Sequence, residues 1–125
     1  MSERRKRRIE KQLKQTISRI IRNELKNDSL KLLSVTRVEL TPDLKMGTVY
    51  VSHIDKDEKT RQNSIKFLRR KEKKIRAIVT KSLPLKIIPE FRFREDSSLK
   101  EAARVNRIMK ELQEEREDRN REEKD

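Results

Sequence analysis

Residues 61–79, RQNSIKFLRRKEKKIRAIV, carry two patterns at once. Ile65, Leu68, Ile75, Ile78 and Val79 recur at three, four and seven residues, the period of one helix face. Between them stand Lys66, Arg69, Arg70, Lys71, Lys73, Lys74 and Arg76, with Glu72 as the only acid. A helix built this way must pack one side on a core and show water a dense positive surface. Taken alone, that surface is either a solvated face or a phosphate-binding one, and the rest of the chain has to decide.

A second amphipathic helix is predicted from Glu3 to Lys26, with Ile9, Leu13, Ile17, Ile20, Ile21 and Leu25 on one face. Its first turns hold Arg4, Arg5, Lys6, Arg7 and Arg8. Positive charge there opposes the helix dipole, so those turns are expected to fray and to act as a binding arm. Asn27, Asp28 and Ser29 end the helix.

Residues 32–41, LLSVTRVELT, read as a strand whose alternation slips between Val35 and Val38, the mark of a bulge. Thr41-Pro42-Asp43 is a turn signal, and residues 45–54, KMGTVYVSHI, read as a second strand. So short a connection makes the pair an antiparallel hairpin. The basic helix follows from about Lys59 to Ser82 and stops before Pro84. Residues 86–94, KIIPEFRFR, read as a third strand with Ile87, Phe91 and Phe93 on one face and Arg92 and Arg94 on the other. Pro89 calls for an edge position or a late start. A capping-box pattern from Ser98 to Glu101 opens a last helix, with Leu99, Ala102, Val105, Ile108, Met109 and Leu112 at helical spacing.

The order α-β-β-α-β-α predicts an α+β domain: a three-stranded mixed sheet with helices packed on one face. Val49, Val51, Ile87, Phe91 and Phe93 should point at Ile17, Ile20, Ile21, Leu68, Ile75 and Val79. Residues 1–112 are expected to form this one domain. Residues 113–125 contain no apolar side chain and are expected to be a charged, disordered or frayed helical tail.

Little here suggests chemistry. The chain has no cysteine, so thiol nucleophiles and zinc–thiolate sites are excluded. His53 is the only histidine, at a strand end where a surface or turn role is expected. The acids fall on loops and the tail rather than in apolar settings that would raise a carboxyl pKa. Gly47 is the only glycine, which rules out a Gly-rich phosphate loop. No catalytic residue, metal site, cofactor or small-molecule substrate is therefore expected. There is no signal-like apolar run and no stretch near the ~20 apolar residues of a membrane span, so a cytoplasmic protein is expected.

Binding is what remains. Of the residues, 46% are charged, and the formal net charge is +13, a balance that favours nucleic acid. The phosphate-binding candidates are Arg4, Arg5, Arg7 and Arg8 of the arm, with Lys66, Arg69, Arg70, Lys71, Lys73, Lys74 and Arg76 of the basic helix. Tyr50, Phe67, Phe91 and Phe93 are the only aromatics, and the three phenylalanines read as core. That is too few for a platform that stacks several bases, so recognition of folded RNA by shape and phosphate position is expected. The alternative is a basic DNA- or nucleoid-binding protein; only Gln62 and Asn63, at the start of the basic helix, could read adenine edges. A third reading, a membrane-surface helix at the N-terminus, lacks the Trp or Phe of such anchors.

The hairpin VTRVELTPDLKMGTVYVS resembles the ribosome-binding factor A family, which shows a V-T-x-V-x-x-S/T-P-D-L segment followed by V-Y-V-S. Val35, Thr36, Val38, Thr41, Pro42, Asp43, Leu44, Val49, Tyr50, Val51 and Ser52 fit it. In LKIIPEFRFREDSSL, Pro89, Glu90, Phe93, Asp96 and Ser98 fit a P-E-L-x-F strand and its D-x-S turn, and Ile75-Arg76 resembles an I-R pair of the family's long helix. The resemblance covers about residues 3–112. It implies a type II KH-like fold and a role in ribosome biogenesis: binding free 30S subunits or their precursors, and assisting late maturation and processing of 16S rRNA near its 5′-terminal helix and the decoding region. It also implies a link to growth in the cold. A monomer is expected. One departure stands out. The family carries an Ala-x-Gly kink in the long helix, which falls at Lys71-Glu72-Lys73 here. Without the glycine, continuous helix gains about 1 kcal/mol. The helix then either runs straight or kinks for another reason.

Overall fold

The computed structural model describes residues 2–124, with backbone only for 98–101, 123 and 124. Helix α1 (Glu3–Asn23) is followed by a 3₁₀ turn over Asp28–Leu32 and strands β1 (Leu33–Leu40) and β2 (Met46–His53). Helices α2 (Glu58–Arg70) and α3 (Glu72–Ser82), strand β3 (Glu90–Glu95) and helix α4 (Ser98–Lys124) complete the chain. The sheet order is β1-β2-β3, with β1–β2 antiparallel and β2–β3 parallel. This is the expected mixed sheet of a KH-like fold. α1, α2 and α3 lie on one face and bury Leu13, Ile17, Ile20, Ile21, Leu68, Ile75 and Val79 against Val49, Val51, Phe91 and Phe93.

Local chemistry explains most element ends. Ser2 caps α1 by accepting the Arg5 N–H at 3.2 Å, so the basic first turns are helical from Glu3. Asn27 Oδ1 accepts the Ser29 N–H at 3.0 Å and organises the 3₁₀ turn, which delays β1 to Leu33. Asp57 caps α2. The bulge sits at Thr36, between the Val35–Val51 and Arg37–Tyr50 pairs. The Thr36 hydroxyl reaches the Tyr50 carbonyl and the Asp96 carboxylate, tying β1 to the end of β3 across the central strand. In the hairpin turn Asp43 Oδ1 accepts from the Thr41 hydroxyl at 2.7 Å and the Lys45 N–H at 3.0 Å. Leu44 takes φ 63°, a left-handed conformation usually left to glycine; its side chain is buried in the core, which offsets the strain.

Several expectations are corrected. Pro89 has no N–H to give a ladder, and β3 begins after it, at Glu90. Ile87 therefore lies outside the strand and is 44% exposed instead of facing the helices. Phe67 is half-buried at the rim rather than in the core. His53 is buried, not a surface residue: its Nδ1 accepts the Asp55 N–H, leaving Nε2–H to donate to the Ser29 carbonyl at 3.0 Å. Asp96, read as a loop acid, is also buried. Helix α4 runs without a break through residue 113 to Lys124, and Val105, Ile108, Met109 and Leu112 on its apolar stripe are 44–62% exposed. The side chains of the Ser98–Glu101 capping box, Leu99 included, lie outside the described residues.

Gly47 occupies the middle of a row that crosses the sheet, Leu40–Gly47–Phe91. A Cβ there would lie 3.2 Å from Leu40 Cδ2 and 3.3 Å from Phe91 Cδ1, so the two side chains close over the glycine. Gly47→Val is expected to destabilise the fold by about 1–3 kcal/mol through overpacking, read as a lower urea midpoint. A second prediction concerns pH. The Thr41 hydroxyl and Lys45 N–H hold the Asp43 carboxyl below its ordinary value; the Thr60 hydroxyl and then the Lys59 N–H do the same for Asp57. Their contributions are complete above the ordinary carboxylate range and are lost as pH falls through the lowered folded values. Corrected for the intrinsic pH dependence of exchange, amide protection in the turn and the first turn of α2 should fall over that acid window, and Asp57→Ala should remove that fall in α2.

Candidate nucleic-acid interface

Three strands leave two open edges, and helix side chains occupy both. α1 runs antiparallel to β1: Ile21 and Arg22 lie by Leu33–Val35, and Glu10 Oε2 accepts the Leu40 N–H at 2.8 Å. α2 and α3 run antiparallel to β3. Arg61 Nε pairs with Glu95 at 3.1 Å, and Arg69 Nη2 donates to the Phe93 carbonyl at 3.1 Å. Glu72 Oε1 accepts the Phe91 N–H at 3.1 Å, and Arg76 meets Glu90 at 3.7 Å. Glu72 Oε2 also receives Arg76 Nη2 at 3.2 Å.

This ladder accompanies the helix break. α2 ends at Arg70, Lys71 takes φ −95°, ψ 5°, and α3 restarts at Glu72. The break falls at the position where the resemblance drawn from the sequence implies a glycine kink, yet no glycine is present. Arg69 and Glu72 sit on either side of it and each hold a backbone group of β3. Propensity favours a straight helix there by only about 1 kcal/mol. An unpaired, partly buried strand N–H costs about 1–3 kcal/mol, enough to outweigh it.

The two glutamates place the cations. Glu10 and Glu72 grip the two ends of the same cross-sheet row, about 10 Å apart, as two strand spacings dictate. Arg8, Arg7, Arg5 and Arg4 lie about 3–9 Å further along α1, past the end of β1. Lys71, Lys73 and Lys74 surround Glu72. Both basic stretches therefore reach the end of the sheet that carries the hairpin turn.

Not every predicted residue is available. Arg4, Arg5, Arg7, Arg8, Lys66, Arg70, Lys73 and Lys74 are exposed and form no ion pair among the described residues. Lys71 is half-buried, with Nζ 5.6 Å from the Phe67 ring centroid; Arg70 lies 5.9 Å from the same ring. Arg69 and Arg76 are tied to β3, so they shape the surface more than they offer it. Beside them runs an open groove of ≈ 460 Å³, lined by Arg69, Glu72, Arg92, Arg94 and the Phe91–Phe93 edge. A second cleft, between α2 and the 3₁₀ turn, presents Asn63, Lys66 and Arg70. Glu10, Glu72 and Asp96 escaped the sequence reading, since their partners lie 19 to 60 residues away. Among the described residues no His, Cys, Asp and Glu group could hold a metal, and no helix is long and apolar enough to cross a membrane.

Fold and surface together define a KH-like domain whose bent helix carries lysines and arginines where a KH domain has its glycine clamp. The model of the ribosome-binding factor A family matches residues 5–109, and the chain belongs to that family. It is 37% identical over 117 residues to ribosome-binding factor A of Halothermothrix orenii, covering 94% of this chain and 95% of that one. It is 34% identical over 105 residues to that of Macrococcus caseolyticus, covering 84% and 91%. The crystal structure of the Thermus thermophilus factor is similar, with TM-score 0.64 and 27% identity over 72% of this chain and 93% of that one. So is a homology model of the Thermus thermophilus factor fitted into the cryo-EM map of its 30S complex, with TM-score 0.62 and 26% identity over 74% and 97%.

Glu72→Ala should cost about 1–3 kcal/mol by leaving the Phe91 N–H unpaired, whereas Glu72→Gln, which keeps an acceptor, should cost less. Urea unfolding of the two variants compares them.

Proposed function

We propose that this protein is a non-catalytic assembly factor of the small ribosomal subunit. It works in the cytoplasm as a monomer. It binds free 30S particles or their precursors through 16S rRNA, near the 5′-terminal helix, and holds one rRNA conformation while late maturation and processing proceed. Residues 1–112 carry the binding, and 113–125 are a charged extension. The observation that carries this reading is the convergence of two basic stretches, far apart in sequence, at one end of a KH-like fold. Phosphates would be held by Arg4, Arg5, Arg7 and Arg8 from α1 and by Arg70, Lys71, Lys73 and Lys74 around the helix break, with Lys66 further back on α2 beside the 3₁₀ turn; Arg69 and Arg76 set their geometry. Membership of the family, and the likeness to a factor fitted into a 30S complex, support it. With its only glycine inside β2, the chain has no GXXG clamp, so the grip on the backbone falls to side chains.

Cosedimentation with separated 30S, 50S and 70S particles at two salt concentrations tests the reading. Selective binding to 30S, weakened but retained at higher salt, is expected. Indifferent binding to all three, lost together with salt, would leave only non-specific charge attraction. In the double variant Lys73→Glu, Lys74→Glu, the slope of log affinity against log salt should shallow by about 2, with an unchanged melting curve. Unaltered affinity in a folded variant would count against these lysines as the contact.

A further inference from the structure

The sheet has a second face, away from the helices. Its side chains are Ser34, Arg37 and Glu39 of β1, Thr48, Tyr50 and Ser52 of β2, and Arg92 and Arg94 of β3, all exposed or half-exposed. A polar face on a small sheet is ordinary. The arrangement at its centre is less so. Tyr50, the chain's only tyrosine, stands on the middle strand. Arg37 and Arg94 are its partners on either side, which makes an Arg–Tyr–Arg row across the sheet. The Arg37 guanidinium lies 4.1 Å from the Tyr50 ring centroid, a stacked cation–aromatic pair.

The acids do not cancel these charges. Glu39 is engaged with Arg37 at 3.6 Å and accepts from the Tyr50 hydroxyl at 3.4 Å, so it orients the stack. Arg92 and Arg94 have no anionic partner among the described residues. They stand two residues apart on one face, about 6.6 Å along β3. The face thus offers one aromatic–guanidinium surface for a flat ring, with two available guanidinium groups beside it. Unpaired bases stack on tyrosine rings and arginine planes alike, and arginine holds phosphate.

We infer that this face binds a single-stranded RNA segment, stacking one unpaired base on the Tyr50–Arg37 pair and holding the adjoining phosphates with Arg92 and Arg94. One aromatic is too few to read a run of bases but is enough to seat one. The inference takes its ligand class from the RNA-binding reading above and rests on different residues.

The test uses the full chain and two probes: a short oligoadenylate carrying one 2-aminopurine, and an RNA duplex of similar length. Binding of the strand should quench the 2-aminopurine. Tyr50→Phe should keep the quench and the affinity. Tyr50→Leu, which preserves strand-compatible bulk without a ring, should weaken the strand about tenfold, the loss of one stacked base, and leave the duplex unchanged. Arg94→Gln, a milder change on an exposed site, should weaken the strand several-fold with a shallower salt slope. Lys73→Glu with Lys74→Glu should weaken both probes. If that double variant binds both normally while Tyr50→Leu releases the strand, the helix assignment fails and the sheet-face assignment stands. A strand bound by folded Tyr50→Leu as tightly as by the parent, or bound without quenching, overturns the inference. So does competition by poly-glutamate combined with indifference to Tyr50→Leu, the behaviour of a face that docks acidic protein instead.

Discussion

The open edges of the sheet govern the rest of the structure. In a three-stranded sheet, two strands out of three turn a row of backbone groups toward water or toward another chain's strand. Here side chains from the covering helices answer them. Glu10 takes a β1 amide; Arg69 and Glu72 take a carbonyl and an amide of β3. A helix that must touch the strand at these points cannot choose its path freely. It descends antiparallel to β3, bends after Arg70 and leaves on a new axis.

That bend sorts the positive charge. Side chains facing the strand are spent on structure: Arg61 on Glu95, Arg69 on a carbonyl, Arg76 between two glutamates. Those facing away, Lys66, Arg70, Lys73 and Lys74, meet no counter-charge among the described residues. Paired and unpaired cations are therefore separated by which side of one helix they occupy, and Glu72, embedded in a run of cations, lies on the paired side. The same logic leaves α4 apart. Its first half is net basic and its second half net acidic, and among the described side chains Val105, Ile108, Met109 and Leu112 of its apolar stripe stay exposed.

The elements themselves were largely legible in the sequence because their signals are local. The 3.6-residue period of Leu13, Ile17 and Ile20, the alternation of Val49 and Val51, the slip between Val35 and Val38, and the Thr41–Asp43 turn each appear within a few residues. Pro89 announced both the edge position and the late start of β3. What stayed hidden depends on partners distant in the chain. Nothing near Glu72 reveals that Phe91 will offer it an N–H, so the resemblance could place a kink at Lys71–Lys73 but the chain's own residues gave no reason for one. Asp96 looked like a loop acid until Thr36 came within reach. Arg69 and Arg76 were indistinguishable from Lys73 and Lys74 by residue type; only the position of β3 divides tethered cations from available ones. The Arg–Tyr–Arg row was equally invisible, because register across three strands sets it.

The helix break can be set beside the way relatives with Ala-x-Gly would bend. A glycine removes a steric restraint and lets a helix bend; it belongs to the helix and travels with it. The bend here belongs to the strand, through the carboxylate and guanidinium that hold its edge. Cut from the protein, residues 58–82 would lose those tethers, and they hold no glycine or proline that would turn them at Lys71. The same bent outline is thus encoded in two separable ways: as permission in the backbone of the helix, or as a tether from elsewhere in the fold.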